Sequence, residues 1–491
     1  MTSSNPNVQS AEDLYLLAKE SQTAGDFDLA FRLYLRAAEA GHMFATHNLG
    51  HLYSIGRGVE QDYSCALNWF RKSADMGDCL SMNSIGWLYR DGLGVPQNDA
   101  EAFEWFNKAS ELGSSASMSN LGWMYHRGKG CEQDYEIAIS WYRKASDLGD
   151  SVGSRNLGTL YRDGEGVGRD YAQARFWFDK AVAQGSADAM RDIGFLHYYG
   201  QGVDQSYIEA LTWWRKAADG GCSAAMHDIG LGYYHERGVE QSYVEALTWW
   251  RKASDGGCSV AMRDIGYLYF NGQGVNQNYV EALIWWRKAA DCGCSRAPFH
   301  LGVAYRDGYG VDIDIFQALK FLKISVARGD GEAATAIARI YYHGTGVPSD
   351  KSAAFDSYYE GAHLGDGAAM FGLYLLYRDG EGVPADGERA EEWLRASCKA
   401  DHPPAMNLFG TLCLKKGNKP EALKWYLKAA EKGNEKAMYN AGKMYESNSD
   451  RWFDGSHEER KVGQMYWLRK SAELGYAPAK KELDSLSSKN M

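Results

Sequence analysis

The stretch Asn120–Gly149, NLGWMYHRGKGCEQDYEIAISWYRKASDLG, decides the fold. Leu121, Met124 and Tyr125 stand at i, i+3 and i+4, which marks one face of a helix. Gly128 and Gly130 then stop that helix, because glycine takes positive φ angles without steric penalty. Ala138, Trp141, Tyr142 and Ala145 repeat the spacing in a second helix, which Gly149 caps. The unit therefore reads helix A, turn, helix B, turn.

The pattern recurs outward in both directions. Gly122 has counterparts at Gly50, Gly86, Gly158, Gly194, Gly230, Gly266 and Gly302, each 36 residues from the next. The frame passes through Ala338 and Tyr374 and returns at Gly410. A glycine inside a helix costs ~1 kcal/mol of propensity, so its recurrence predicts a close approach of helix B. Val95, Val167, Val203, Val275 and Val311, after the Gly-x-Gly turns, are expected to plug the core. Helix B is expected to carry its large anchors at Trp69, Trp105, Trp141, Trp177, Trp213, Trp249 and Trp285, then at Phe321 and Trp393. One unit cannot bury such a face alone, but stacked neighbours make a continuous core.

The expected fold is all-α, a solenoid of about twelve helix-turn-helix repeats closed by a C-terminal helix. Residues 1–9 and 487–491 are expected to be disordered, and 10–42 to form an N-terminal capping pair. Residues 43–401 hold ten repeats of 36 residues, 402–433 a shorter one, and 434–475 a last repeat with an inserted polar loop at 446–460. A capping helix is expected over 476–486.

Net charge is −11, and basic runs do not exceed doublets such as Lys415-Lys416. A backbone binder of nucleic acid needs a clustered basic face, so nucleic acid is not an expected partner. Met1 to Asn7 shows neither a basic start nor an apolar run, and no ~18-residue apolar stretch occurs, so neither a signal peptide nor membrane insertion is expected. Nine cysteines without paired spacing argue against a disulfide framework. Cys222, Cys258 and Cys294 recur at one repeat position and read as small buried fillers, which favours the cytoplasm.

The motifs Leu-Gly-x-x-Tyr, Gly-x-Gly-Val and Ala-x-x-Trp-Tyr/Phe-x-Lys-Ala, over residues 43–475, resemble the Sel-1-like repeat family, a longer-turned relative of the tetratricopeptide repeat. The resemblance implies a right-handed superhelix with helix A lining the concave side. It also implies work as a scaffold, adaptor or regulator that binds a protein or peptide. An inhibitor or immunity protein that neutralises a cognate bacterial toxin is the alternative.

If helix A faces inward, three registers are exposed. Three residues before the glycine stand Asn83, Arg155, Arg191, His227, Arg263 and Phe299, and directly after it Trp87, Trp123, Phe195, Tyr267 and Arg339. After the helix-A tyrosine come Arg90, His126, Arg162, Tyr198, Tyr234, Phe270, Arg306, Tyr342 and Arg378. Trp, Tyr and Arg dominate protein-binding hot spots, and Arg pairs bidentately with carboxylates. These twenty residues are the candidate partner-binding surface, with an acidic or carboxylate-bearing segment as the expected partner. The same arginines also admit a local reading, as pairs with the aspartates that follow Arg90, Arg162, Arg306 and Arg378. Charge reversal of Arg155, Arg191 and Arg263 together is expected to abolish capture and spare the fold.

Catalytic and cofactor signatures are missing. The Gly-x-Gly turns follow helices rather than strands, so they do not read as nucleotide loops. The 12 histidines are scattered, with no Cys or carboxylate at metal spacing, and there is no nucleophile elbow. No enzyme activity, cofactor or metal is expected.

Overall fold

The structure, a computed structural model, describes residues 10–446 and 457–488. The described residues form 27 helices and no strand. They fall into two compact units, Met1–Gly256 and Gly257–Met491. In the first unit, helix A and helix B alternate from Ala11–Thr23 and Phe27–Glu39 to Ser223–Tyr234 and Tyr243–Asp255. In the second they run from Ser259–Asn271 and Tyr279–Asp291 to Glu435–Glu446 and His457–Glu473, followed by Ala477–Ser488. Within each unit every helix packs on the next, and helix A also meets helix A of the following repeat, as Ser115–Arg127 does Ser151–Asp163. The fold is an all-α solenoid.

Local chemistry sets the boundaries. Asp62 and Asp134 open helix B by accepting the backbone N–H of Cys65 and Ile137, both at 2.9 Å. Such caps contribute ~1 kcal/mol each. Gly128 ends helix A with φ of 63°, a left-handed angle that side chains other than glycine resist. In the turn, the side-chain amides of Gln61, Gln133 and Gln205 donate to the carbonyls of Ser54, His126 and Tyr198 at 2.8 Å. The valines of the turns are half-buried, and Val95, Val167 and Val311 pack on the core.

The core anchors lie one residue later than expected. Phe70, Phe106, Tyr142, Phe178, Trp214, Trp250 and Trp286 are the buried side chains of helix B. Their partners are the helix-A glycines: a Cβ on Gly86 would stand 2.6 Å from the Phe106 ring, and one on Gly230 would stand 2.3 Å from Nε1 of Trp250. The indole N–H of Trp214, Trp250 and Trp286 donates to the carbonyls of Arg191, His227 and Arg263 at 3.2, 3.1 and 3.1 Å. The preceding row sits about 100° round the helix and is only half-buried. There Lys72, Lys144 and Lys216 lie over the rings of Trp69, Trp141 and Trp213 at 4.0, 4.3 and 4.2 Å. Both rows are aromatic, so periodicity could not rank them.

Three further expectations change. Helix His457–Glu473 begins inside the 446–460 segment read as a loop, with Glu458 and Glu459 in its first turn, where carboxylates favour a helix N-terminus. The last helix runs to Ser488 rather than 486. Cys222 and Cys294 are buried and Cys258 is half-buried, but Cys222 and Cys258 sit at the N-cap of helix A, where Asp78, Ser114 and Asp150 cap other units. Residues 1–9, Trp452, Phe453 and 489–491 lie outside the described residues.

Candidate protein-binding surface

The helix-A registers bring the candidate residues onto one face within each unit, but most are already engaged. Arg90, Arg162, Arg306 and Arg378 each fork onto the carboxylate of the following aspartate, with Nε at 2.7 Å. Arg155 reaches into the next repeat, where its Nε donates to Asp192 at 2.5 Å. Arg191 grips Asp228 in the same register. Asp192 and Asp228 are 4% and 5% exposed, so these two guanidinium groups neutralise buried carboxylates. Burial raises the Asp228 pKa against the pull of Arg191.

The register explains the exception. At the position of Asp192 and Asp228, the repeat after Arg263 carries His300. Arg263 turns instead to its own neighbour Asp264, at 2.8 Å. Burial, and then the charges of Arg263 and Arg296, hold the His300 imidazole down at about 4.

Other candidates are structural. His126 is buried and bonded to Glu165 at 2.6 Å. His227 is buried and stacks on Trp250, 6.0 Å between ring centres. Asn83 accepts hydrogen bonds from Ser117 and Asn120 at 2.8 and 2.9 Å. Tyr342 donates to Glu381 at 2.5 Å, and this bond, ahead of burial, pushes its phenol up to about 12. Trp123 lies under Arg90, Trp87 edges onto Tyr63, and Phe299 meets His300. Tyr234 packs on Tyr243 and Trp250, and Phe270 on Tyr279, Trp286 and Tyr309. Tyr267, Arg339 and Arg378 are exposed.

The expectation that reversing Arg155, Arg191 and Arg263 spares the fold is therefore corrected. A glutamate at 155 or 191 would set a second carboxylate against buried Asp192 or Asp228 in place of its closest counter-charge, which is destabilising.

Phe195 and Tyr198 border something different, a recess of about 200 Å³ between two helix-A segments of the first unit. Tyr199, Trp214, Leu231, Gly232, His235 and Arg237 complete most of its wall. Four rings meet there: Phe195–Trp214 at 5.3 Å, Tyr198–Trp214 at 5.6 Å and Tyr198–Tyr199 at 4.9 Å. The opening follows from the repeat. Residue 232 is glycine where Leu52, Leu88, Met124, Leu160 and Leu196 fill the core of the preceding units. Leu211 fills part of the space, standing 2.9 Å from where a Cβ on Gly232 would be. At the rim, Glu236 takes φ of 57° at the position other turns give to glycine. Both departures can be read by aligning the units, and composition or motif reading passes over them.

Among the described residues no group of three His, Cys, Asp or Glu is placed to hold a metal ion, and no helix is long and apolar enough to cross a membrane.

Tandem helix pairs with one side-chain-lined face define a helical repeat protein. The Sel1 repeat pattern matches residues 11–42, 44–78, 80–114, 115–150, 152–186, 187–222, 223–258, 259–294, 295–330, 331–366, 367–402, 405–434 and 465–476. The chain belongs to the Sel1 repeat family, whose members are generally protein-interaction scaffolds. It is similar to a protective antigen present in uropathogenic Escherichia coli strains, 27% identical over 92% of this chain and 97% of that one, TM-score 0.46. It is 32% identical to a Sel1 repeat protein from Oxalobacter formigenes over 50% of this chain and 98% of that one, TM-score 0.43. An immunity protein from Pseudomonas aeruginosa is 18% identical over 44% of this chain and 81% of that one, TM-score 0.33. A comparison with curated proteins returns no match.

Proposed function

We propose that this chain is a non-catalytic scaffold that holds a segment of a partner protein along its helix-A face. One partner side chain, of leucine to phenylalanine size, enters the recess beside Gly232. The carrying observation is that recess: the repeat gives up a core side chain there and tolerates a left-handed glutamate at its rim. A left-handed angle costs a non-glycine residue ~1–2 kcal/mol, and such strain gathers at functional sites. Aromatic walls supply contact area with few rotamers to freeze. The paired arginines hold the surrounding helices in register and contribute little free positive charge to the partner. We place this work in the cytoplasm, in keeping with nine cysteines that form no disulfide.

The test is affinity capture from native cells with the wild type and Gly232→Leu in parallel. The leucine restores the side chain of neighbouring units and fills the recess. Loss of the captured protein, with helicity by circular dichroism unchanged, is expected. Equal capture by both proteins refutes the reading.

A further inference from the structure

On helix A of the central repeats Arg155, Arg162, Arg191 and Arg263 are matched by carboxylates, but the cations of one groove are not. It lies in the first unit between helix A of the capping pair, Ala11–Thr23, and helix A of the next repeat, Met43–Ile55. Its volume is about 540 Å³, and its lining includes Lys19, His51 and Arg57 but no aspartate or glutamate. Neither Lys19 nor Arg57 has a carboxylate within ion-pair distance among the described residues. Arg57 rests over the Phe27 ring at 4.9 Å. The nearby Glu12 is taken by His42 at 2.9 Å.

Neutral donors complete the wall. The buried Tyr34 hydroxyl donates to the side-chain carbonyl of Gln22 at 2.7 Å, which leaves the Gln22 amide N–H groups for another acceptor. Asn48 and Thr23 stand in the same lining, and Tyr15, Phe27 and Ile55 give it apolar flanks. Crowding by neighbouring atoms, then the charges of His47 and Arg57, hold the His51 imidazole below its ordinary value. At neutral pH His51 is thus a neutral donor beside two permanent cations.

We propose that this groove binds the Asp or Glu side chains of an acidic segment of a partner protein, with Lys19 and Arg57 as the charge partners and His51, Asn48 and Gln22 as hydrogen-bond donors. The inference rests on the reading of the helix-A face as the partner-binding surface and adds the partner's chemistry at one end of it. Positive charge without a counter-ion on a chain of net charge −11 is a local inversion of sign. It attracts carboxylates and disfavours basic segments. Amide donors and apolar flanks suit an extended peptide better than the uniform phosphates of a nucleic acid, which need a longer basic track.

The experiment uses the full chain and a fluorescein-labelled ten-residue peptide of alternating Glu and Ala, read by anisotropy. Comparison peptides replace Glu by Gln or amidate the C-terminus. The Glu peptide is expected to bind with or without amidation, and the Gln peptide at least ten-fold more weakly. Lys19→Glu with Arg57→Glu, both on exposed positions, is expected to lose at least ten-fold with an unchanged melting curve. Lys320→Glu, on helix B of the second unit, is expected to change nothing. Equal binding of Glu and Gln peptides overturns the proposal. So does binding indifferent to the double reversal, loss on amidation alone, or an equal loss in Lys320→Glu. If the acidic peptide fails while capture still depends on the Gly232 recess, this inference falls and the scaffold reading stands.

Discussion

Replacing Gly230 with alanine is a sharp test of how helix B docks on helix A. By helix propensity alone the change stabilises the helix by ~1 kcal/mol. The structure predicts the opposite sign. The new Cβ would lie 2.3 Å from Nε1 and 2.4 Å from Cδ1 of Trp250, a side chain 2% exposed. Contact would have to open by about 1 Å, and the indole N–H would lose its 3.1 Å bond to the His227 carbonyl. Overpacking costs ~1–3 kcal/mol and an unpaired buried donor ~1–3 kcal/mol. Set against the propensity gain, a net loss of about 3 kcal/mol follows, a roughly hundred-fold rise in local opening. A single unfolding free energy is ill-defined for a repeat array, so the assay is hydrogen exchange on peptides covering Ser223–Tyr234 and Tyr243–Asp255. Gly387→Ala is the control, since a Cβ there meets nothing within 4 Å, and it should be neutral or slightly stabilising. Slower exchange in Gly230→Ala, or a change under ~0.5 kcal/mol, would refute the close-approach argument.

Arg191→Ala should destabilise the first unit by ~3 kcal/mol because buried Asp228 loses its closest counter-charge, whereas Arg378→Ala, whose pair is exposed, should stay within ~0.5 kcal/mol; hydrogen exchange of the flanking helices distinguishes the two. His300 titrates at about 4 when folded and near 6.5 when unfolded, so the unfolded state binds the extra proton between those values. Stability is therefore whole above pH 6.5 and falls as the pH drops toward 4, by about 3 kcal/mol from this group. His300→Gln should remove that part of the acid sensitivity, and an equal loss of opening free energy in both proteins between pH 7 and 4.5, read by hydrogen exchange on Ala297–Asp307, would count against it. Glu236→Gly should slow hydrogen exchange of the adjoining helix Ser223–Tyr234 by relieving ~1 kcal/mol of left-handed strain, and faster exchange would argue that Glu236 makes a compensating contact.

Much of the fold was readable because its determinants are local and repeated. Gly122 with Tyr142, Gly128 in the turn and Asp134 at the start of helix B each act within one unit of 36 residues, so the one-dimensional pattern carries the boundaries of helix A and helix B. Sequence could not rank Trp249 against Trp250, since two adjacent aromatics satisfy the same periodicity; packing against Gly230 chose the second. It also could not say which arginines were free. Arg155 and Asp192 are far apart along the chain, and only stacking brings them to 2.5 Å. Charge pairing depends on which side chains share a surface, and that is decided by how helix A of one repeat lies on helix A of the next. Likewise Lys19 and Arg57 belong to different helix pairs, and their joint lack of a carboxylate exists only once those pairs have stacked.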